Sequence, residues 1–300
     1  MSGYISGLLA MLAINTIIAY SVFVPASAGL LNLGAAGFVL VGAYSAGALT
    51  ALWGVPLWLA VPLGAVMAGL VAFLIAFPIL RTRGIYMVLA TFAFAEVVGG
   101  VLINIPALGG AAGLSVMAYA GLPVVAPVAV LVVCFVAWLM ATRFGLSVRA
   151  VHDDENVAHL FGVHLRMTQV MALTIGGAIG GLGGGLLVHQ FNFIDVQSTG
   201  AMFSIYVLLY VLMGGTQTVW GPMFGAIFFT LVPEGLRKMS ELDPSLKFLE
   251  GGRYILFGLA VVLIMMWRPQ GVVTRTMLEN LRASWGGRRD PTEKSAGGRA

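Results

Sequence analysis

MSGYISGLLAMLAINTIIAYSVFVPASAGLLNLGAAGFVLVGAYSAGALTALWGVPLWLAVPLGAVMAGLVAFLIAFPIL, residues 1–80, contains no Lys, Arg, Asp or Glu; the first charged side chain is Arg81. The surface of a water-soluble domain carries ionised groups at about every fourth residue. A chain that omits them for so long has hydrocarbon as its solvent, where about 20 apolar residues cross the bilayer and charge is costly. The fold class expected is all-α and polytopic, because a lone span must satisfy its backbone polar groups internally.

The remaining 220 residues agree with this reading. Charged residues make up 9% of the chain and hydrophobic residues 59%, against about 25% and 45–50% in soluble proteins. The 40 glycines suit helix packing in lipid, where small residues let backbones approach. Apolar runs at 6–25, 33–52, 57–80, 84–104, 122–141, 169–190, 200–214, 220–235 and 254–268 predict eight to ten crossings. The run 200–214 is short for a full span, and the glycine-rich stretch 29–48 is a candidate for a broken or re-entrant helix. The opening segment lacks a basic n-region and a small-residue cleavage site, so the first span is expected to stay in the mature protein.

Basic residues set orientation. In the nine-span reading one side carries 12 of the 16 Lys and Arg, and the other carries Arg237, Lys238, Lys247 and Arg253. The 12-residue side is expected to be cytoplasmic, with the C-terminus inside and the N-terminus outside. Residues 1–270 then form the transmembrane domain, with a cytoplasmic loop at 142–168, and the polar segment 271–300 is expected to be a disordered tail. Basic residues confined to loops and a tail point to lipid headgroups rather than nucleic acid.

Several chemistries lack their residues. There is no G-x-x-x-x-G-K-[ST] phosphate loop, no H-E-x-x-H and no G-x-S-x-G, so neither ATP hydrolysis by that route nor a familiar hydrolase is encoded. His152, His159 and His164 read as a solvated loop rather than a metal site, and His189 stands apart; no metal ligand set is expected. Cys134 is the single cysteine, so an intrachain disulfide is excluded. The chain is not expected to be an enzyme.

The polar loop RFGLSVRAVHDDENVAHLFGVHLR, residues 143–166, carries the strongest positive signal. Asp153, Asp154 and Glu155 can cap a short helix and favour its positive end. Val157, Ala158, Phe161 and Leu165 come next at helical spacing as one apolar stripe, which needs a bilayer surface, the rest of the chain or a partner to cover it. Glu96 is the one carboxylate well inside a long predicted span, a position that suggests either the translocation path or pairing with another helix. Asn15, Asn32, Tyr44, Asn104 and Gln190 are weaker candidates for the path, since such groups also serve as interhelical hydrogen-bond partners.

The run Gly145-x-x-x-Arg149-Ala150-x-x-Asp153-x-Glu155-x-x-Ala158-x-x-x-Gly162-Val163 resembles the cytoplasmic coupling loop of ABC importer permeases, and more narrowly the LivM-type permeases of branched-chain amino-acid importers. Arg81-Thr82-Arg83-Gly84-Ile85-Tyr86 through Thr91 to Glu96 resembles that family's R-x-R-G-x-Y…T-x-A-F-x-E stretch. Gly29 to Gly34 with Gly42-Ala43-Tyr44, Met213 to Ala226 with Pro233-Glu234, and Arg268-Pro269-Gln270-Gly271 match further motifs, so the resemblance covers roughly residues 10–273. His152 stands where the family often has Arg, and Asn156 where an aliphatic residue is usual.

The resemblance implies a permease subunit that moves branched-chain or other small hydrophobic amino acids, with urea, amides and other small acids as substrates of related permeases. It implies an inner-membrane location in a bacterium or archaeon. The implied partners are a second permease subunit (a heterodimer), two cytoplasmic ATPases that bind the ATP and Mg, and an extracytoplasmic substrate-binding protein. Arg149, Ala150, Asp153, Glu155, Ala158, Phe161 and Gly162 would form the ATPase-coupling loop. Arg237, Lys238 and Arg253 would help dock the binding protein. The alternative is an ATP-independent channel or secondary transporter for a small polar solute.

Overall fold

The computed structural model describes residues 2–242 together with 258, 259, 261–263, 266 and 271. Ten helices lie in the continuous part: α1 (Ser2–Ser27), α2 (Ala35–Trp53), α3 (Leu57–Ile79), α4 (Ile85–Ile103), α5 (Leu122–Ala141), α6 (Arg143–Asp153), α7 (Glu155–Leu160), α8 (Leu165–Phe191), α9 (Ala201–Gly214) and α10 (Gly221–Leu242). Six of them, α1–α5 and α8, are long and apolar enough to cross a membrane. They coincide with the first six apolar runs of the sequence. The runs 200–214 and 220–235 appear as α9 and α10, whereas most of the run 254–268 and of the tail 271–300 lies outside the described residues.

Punctuation falls where the chemistry demands it. Between α2 and α3, Gly54 takes a positive φ of 64° and Pro56 opens the next helix, a pairing that suits glycine's freedom and proline's missing donor. At the entry to α2, side-chain oxygens from the link itself, from α4 and from α9 satisfy free backbone donors. Gly34 N–H donates to Asn32 Oδ1 at 2.7 Å, Leu33 N–H to Thr91 Oγ1 at 3.0 Å, and Ala36 N–H to Ser204 Oγ at 2.8 Å.

The glycine-rich stretch 29–48 is broken at its start, where residues 28–34 form a non-helical link, and runs as a continuous helix from Ala35. Its glycines are packing positions. A Cβ on Gly42 would collide with the carbonyl oxygen of Gly181 in α8. α8 answers with two glycine faces. Gly176, Gly180 and Gly184 lie against Ser21, Phe38 and Val39 of α1 and α2, while Gly177 and Gly181 lie against Ala72 and Ala68 of α3. α8 is therefore the axis around which α1, α2 and α3 close, and α4 and α5 sit further out.

At the end of the bundle where α2 meets α3, β1 (Leu114–Ser115) pairs antiparallel with β2 (Phe193–Ile194), Leu114 opposite Ile194. Leu114 and Val116 pack over Gly47 of α2. Buried His189 of α8 reaches Thr50 Oγ1 at 3.1 Å in the same layer.

Replacing Gly42 with Val should destabilise the purified protein by about 3 kcal/mol or more, because the backbone of α8 cannot retreat from an added side chain. Gly100→Ala, at a position with nothing within 4 Å, should leave the thermal midpoint in detergent unchanged, so the pair separates tight packing from a general intolerance of side chains.

Candidate functional site

Leaving α5 at Ala141, the chain turns at Thr142, whose hydroxyl donates to Leu139 O at 2.6 Å. α6 then runs back beneath the bundle. Its apolar positions Gly145, Val148 and Val151 are buried, a spacing of three that holds one face of the helix to the core. A Cβ on Gly145 would collide with Met140 O. Arg149 donates to that same carbonyl at 3.2 Å. α6 is thus fastened to the last turn of α5.

Of the three acidic residues expected to cap the next helix, Asp154 is the one that does so. It is extended, and its Oδ1 accepts from the N–H groups of Asn156 (2.8 Å) and Val157 (3.1 Å). α7 ends after Leu160, where Gly162 at φ 81° lets its N–H reach His159 O and the Val163 N–H reach Ala158 O. These are the two bonds of a Schellman motif, which needs a residue comfortable in the left-handed region.

The expected apolar stripe is redistributed by this stop signal. Leu165 belongs to α8, and Ala158 points inward at 2% exposure. Val157, Leu160 and Phe161 turn away from the chain, the last two each 84% exposed. The result is a two-residue apolar ridge on a helix of six residues.

This ridge is wired to the bundle. Glu155 Oε1 accepts from Gln169 of α8 at 3.3 Å, and Arg166 of α8 donates to Phe77 O in α3 at 3.3 Å. His152 and Asp153, with Arg149, face Ser27 of α1 and Thr216 and Gln217 of the α9–α10 turn across a cavity of about 140 Å³. A larger cavity of about 740 Å³ beside α7 is lined by Arg81, Arg83, Arg166 and Glu155. The loop residues named from the sequence therefore meet the ends of α1, α3, α5, α8 and α9 at one end of the molecule.

The candidates at membrane depth are scattered rather than convergent. Asn15 donates to Thr230 of α10 at 3.0 Å, both residues lying about midway along their helices. Asn32 serves the entry to α2, and Asn104 donates to Gly100 O of its own helix at 2.7 Å. Tyr44 is buried, and its hydroxyl has no hydrogen-bond partner among the described residues. Gln190 donates to Tyr119 Oη at 3.3 Å, leaving its buried Oε1 without a partner. Glu96 occupies the exposed face of α4, with no hydrogen bond or ion pair among the described residues.

At the opposite end, Arg237 bonds Glu234 through Nε at 2.9 Å and donates to Tyr4 Oη at 3.0 Å, while Lys238 Nζ lies 4.4 Å from the Tyr4 ring centre. These two cations are tied to the start of α1. Arg253 and Lys247 lie outside the described residues.

Sequence reasoning missed Asp195. It sits in the link between α8 and α9 and lines, with Asn15, Ser198 and Thr199, a cavity of about 520 Å³. A lone carboxylate just ahead of an apolar run too short to cross the membrane was the available signal.

The family described as branched-chain amino acid transport system / permease component matches residues 4–267. The high-affinity branched-chain amino acid transport system permease protein LivM of Escherichia coli K12 is 28% identical over 83% of this chain and 64% of its own length. The chain thus spans somewhat under two thirds of that relative. The probable branched-chain amino acid transport permease protein LivH of Methanocaldococcus jannaschii is 25% identical, over 73% of this chain and 74% of its own. The autoinducer 2 import system permease protein LsrC of Photorhabdus laumondii is 33% identical over 33% of this chain and 32% of its own. No solved structure matches. With six long apolar helices and a family match that runs nearly the length of the bundle, this chain belongs to the branched-chain amino acid transport system permease family.

Proposed function

We propose that the chain is one of two permease subunits of an ABC importer that carries branched-chain or similar small apolar amino acids across a bacterial or archaeal inner membrane. Separate cytoplasmic ATPases supply the energy, and an extracytoplasmic binding protein delivers the substrate. The observation that carries this reading is the α7 ridge. Two large apolar side chains, 84% exposed at the end of the chain rich in arginine, need a partner's groove more than they need water. The positive-inside rule makes this end cytoplasmic, which puts the C-terminus on the same side in the nine-span topology.

The mechanism comes from the fastenings. A partner that grips Leu160 and Phe161 and moves on nucleotide binding pulls on α5 through Arg149, on α8 through Glu155–Gln169, and on α3 through Arg166. Because α8 is packed without slack against α1, α2 and α3, these helices move with it as a body. Access to a central pathway then alternates between the two sides.

Glu96 belongs to the same assembly. A carboxylate facing lipid at the middle of a span costs roughly 2.5–3.5 kcal/mol on insertion scales, so the face of α4 that bears it is assigned to the seam with the second permease subunit. Arg237 and Lys238, at the opposite end, are assigned to encounter with the binding protein.

Leu160→Ala combined with Phe161→Ala should reduce co-purification of the ATPases at least about tenfold, as expected for losing two buried interface anchors, and abolish ATP-dependent leucine uptake in reconstituted vesicles. Flux that persists in vesicles lacking the ATPases would instead identify an ATP-independent channel or secondary transporter. Lys238→Glu should slow capture of the loaded binding protein by about tenfold at low salt, an effect that fades as salt rises; capture rates that match wild type at every salt concentration would remove Lys238 from the docking surface.

A further inference from the structure

We propose that the cavity at the α8–α9 break is a substrate site that holds an apolar amino acid as its zwitterion, with the ammonium at Asp195 and the carboxylate at the start of α9. The inference rests on the reading of this chain as an amino-acid permease, and it specifies where and how the substrate is held.

The site lies beside the β1–β2 layer, towards the end of the bundle where α2 meets α3. Asn15, on its wall, is midway along α1 and bonded to Thr230 midway along α10. Here the chain leaves helical geometry: Asn192 takes a positive φ of 56°, residues 193–194 pair as β2, and α9 begins only at 201. The cavity that this link lines measures about 520 Å³, within the range of small-molecule sites.

The polar groups come in two kinds. Asp195 is half-buried and accepts from the Ser198 N–H at 3.0 Å and from the Ser198 hydroxyl; no cation pairs with it among the described residues. It offers the site a negative charge. About a turn further on, the Thr199 side chain is 3% exposed, and its hydroxyl has no hydrogen-bond partner among the described residues. The N-terminus of α9 comes directly after it, with Gly200 at the cap and no side chain closing it. Free N–H groups and the positive end of the helix dipole favour a carboxylate there. Asn15, 8% exposed, lines the same cavity from α1.

An anion acceptor and a cation acceptor on one short link suit a molecule that carries both charges a few bonds apart. The rest of the lining is apolar, with Met11, Leu187 and Phe203 among it. An aliphatic side chain loses water against these residues, whereas a charged or sugar-like solute leaves its polar groups unmatched. Helix N-termini that face a substrate carboxylate are a recurrent solution in transporters of other architecture.

The test uses the complete importer reconstituted in vesicles with its own partners and radiolabelled L-leucine. Asp195→Asn, which keeps an acceptor for the Ser198 turn, should lower leucine uptake at least about tenfold, the usual scale for a hydrogen bond to a charged group. ATP hydrolysis stimulated by the binding protein should continue. Asp195→Glu should restore most of the uptake, and Thr199→Val should raise the apparent KM for transport about fivefold, as for one neutral hydrogen bond. Leucine uptake by Asp195→Asn and Thr199→Val that matches wild type would overturn the site. A wild-type assembly that moves no aliphatic amino acid at all would overturn the permease reading on which the site depends, so the two failures are told apart. Should Asp195→Asn not assemble, the Thr199→Val KM alone decides: an unchanged value overturns the site.

Discussion

Backbone touching backbone is the contact on which this molecule is built. Hydrocarbon provides no hydrophobic drive to bring apolar helices together, so association must come from dispersion, hydrogen bonds and close fit. The chain meets that demand with glycine on both sides of its central seam, Gly42 against Gly181 and Gly184 against the Val39 carbonyl. α8 carries such positions on two faces, which is why a single helix can hold three others. Side chains at these positions would push the helices apart and dissolve the dispersion contacts that replace burial from water.

A tightly meshed axis has a mechanical side. Packed cores respond to force by moving as bodies rather than by stretching. The polar fastenings at the arginine-rich end each join a side chain to a main-chain carbonyl or to a neighbouring helix, so they transmit displacement without needing a large interface. The cavities at that end, between α6 and the α9–α10 turn and beside α7, leave room for such displacement. The fit is tight at the axis and loose at the arginine-rich end.

Most of the fold could be read from the chain alone, because in lipid the pattern of charge omission is nearly the same thing as the pattern of spans. α5 falls on the run 122–141, and α3 misses its run by one residue. The reading was weaker where tertiary contacts decide. Glycine suggested a break within 29–48 but not where; the structure puts it at 28–34, and close packing by α8 keeps the rest of the stretch helical. The apolar stripe ran through Leu165 on helical spacing, yet Gly162 ends the helix first, a signal visible in the sequence but outweighed by periodicity. Glu96 invited a role inside the chain, and the structure turns it outward; no periodicity argument on an apolar helix tells which face meets a neighbour. Asp195 went unread because the cavity it lines is completed by residues distant in sequence, among them Asn15, 180 residues before it.

The stop at Gly162 also constrains how this protein can vary. α7 is six residues between an extended Asp154 and a left-handed glycine, and each residue added to a helix rotates the residues beyond it by about 100°. One insertion would swing Leu160 and Phe161 under the bundle and present a polar edge in their place. The direction in which the ridge faces therefore depends on the length of this knuckle as much as on its side chains.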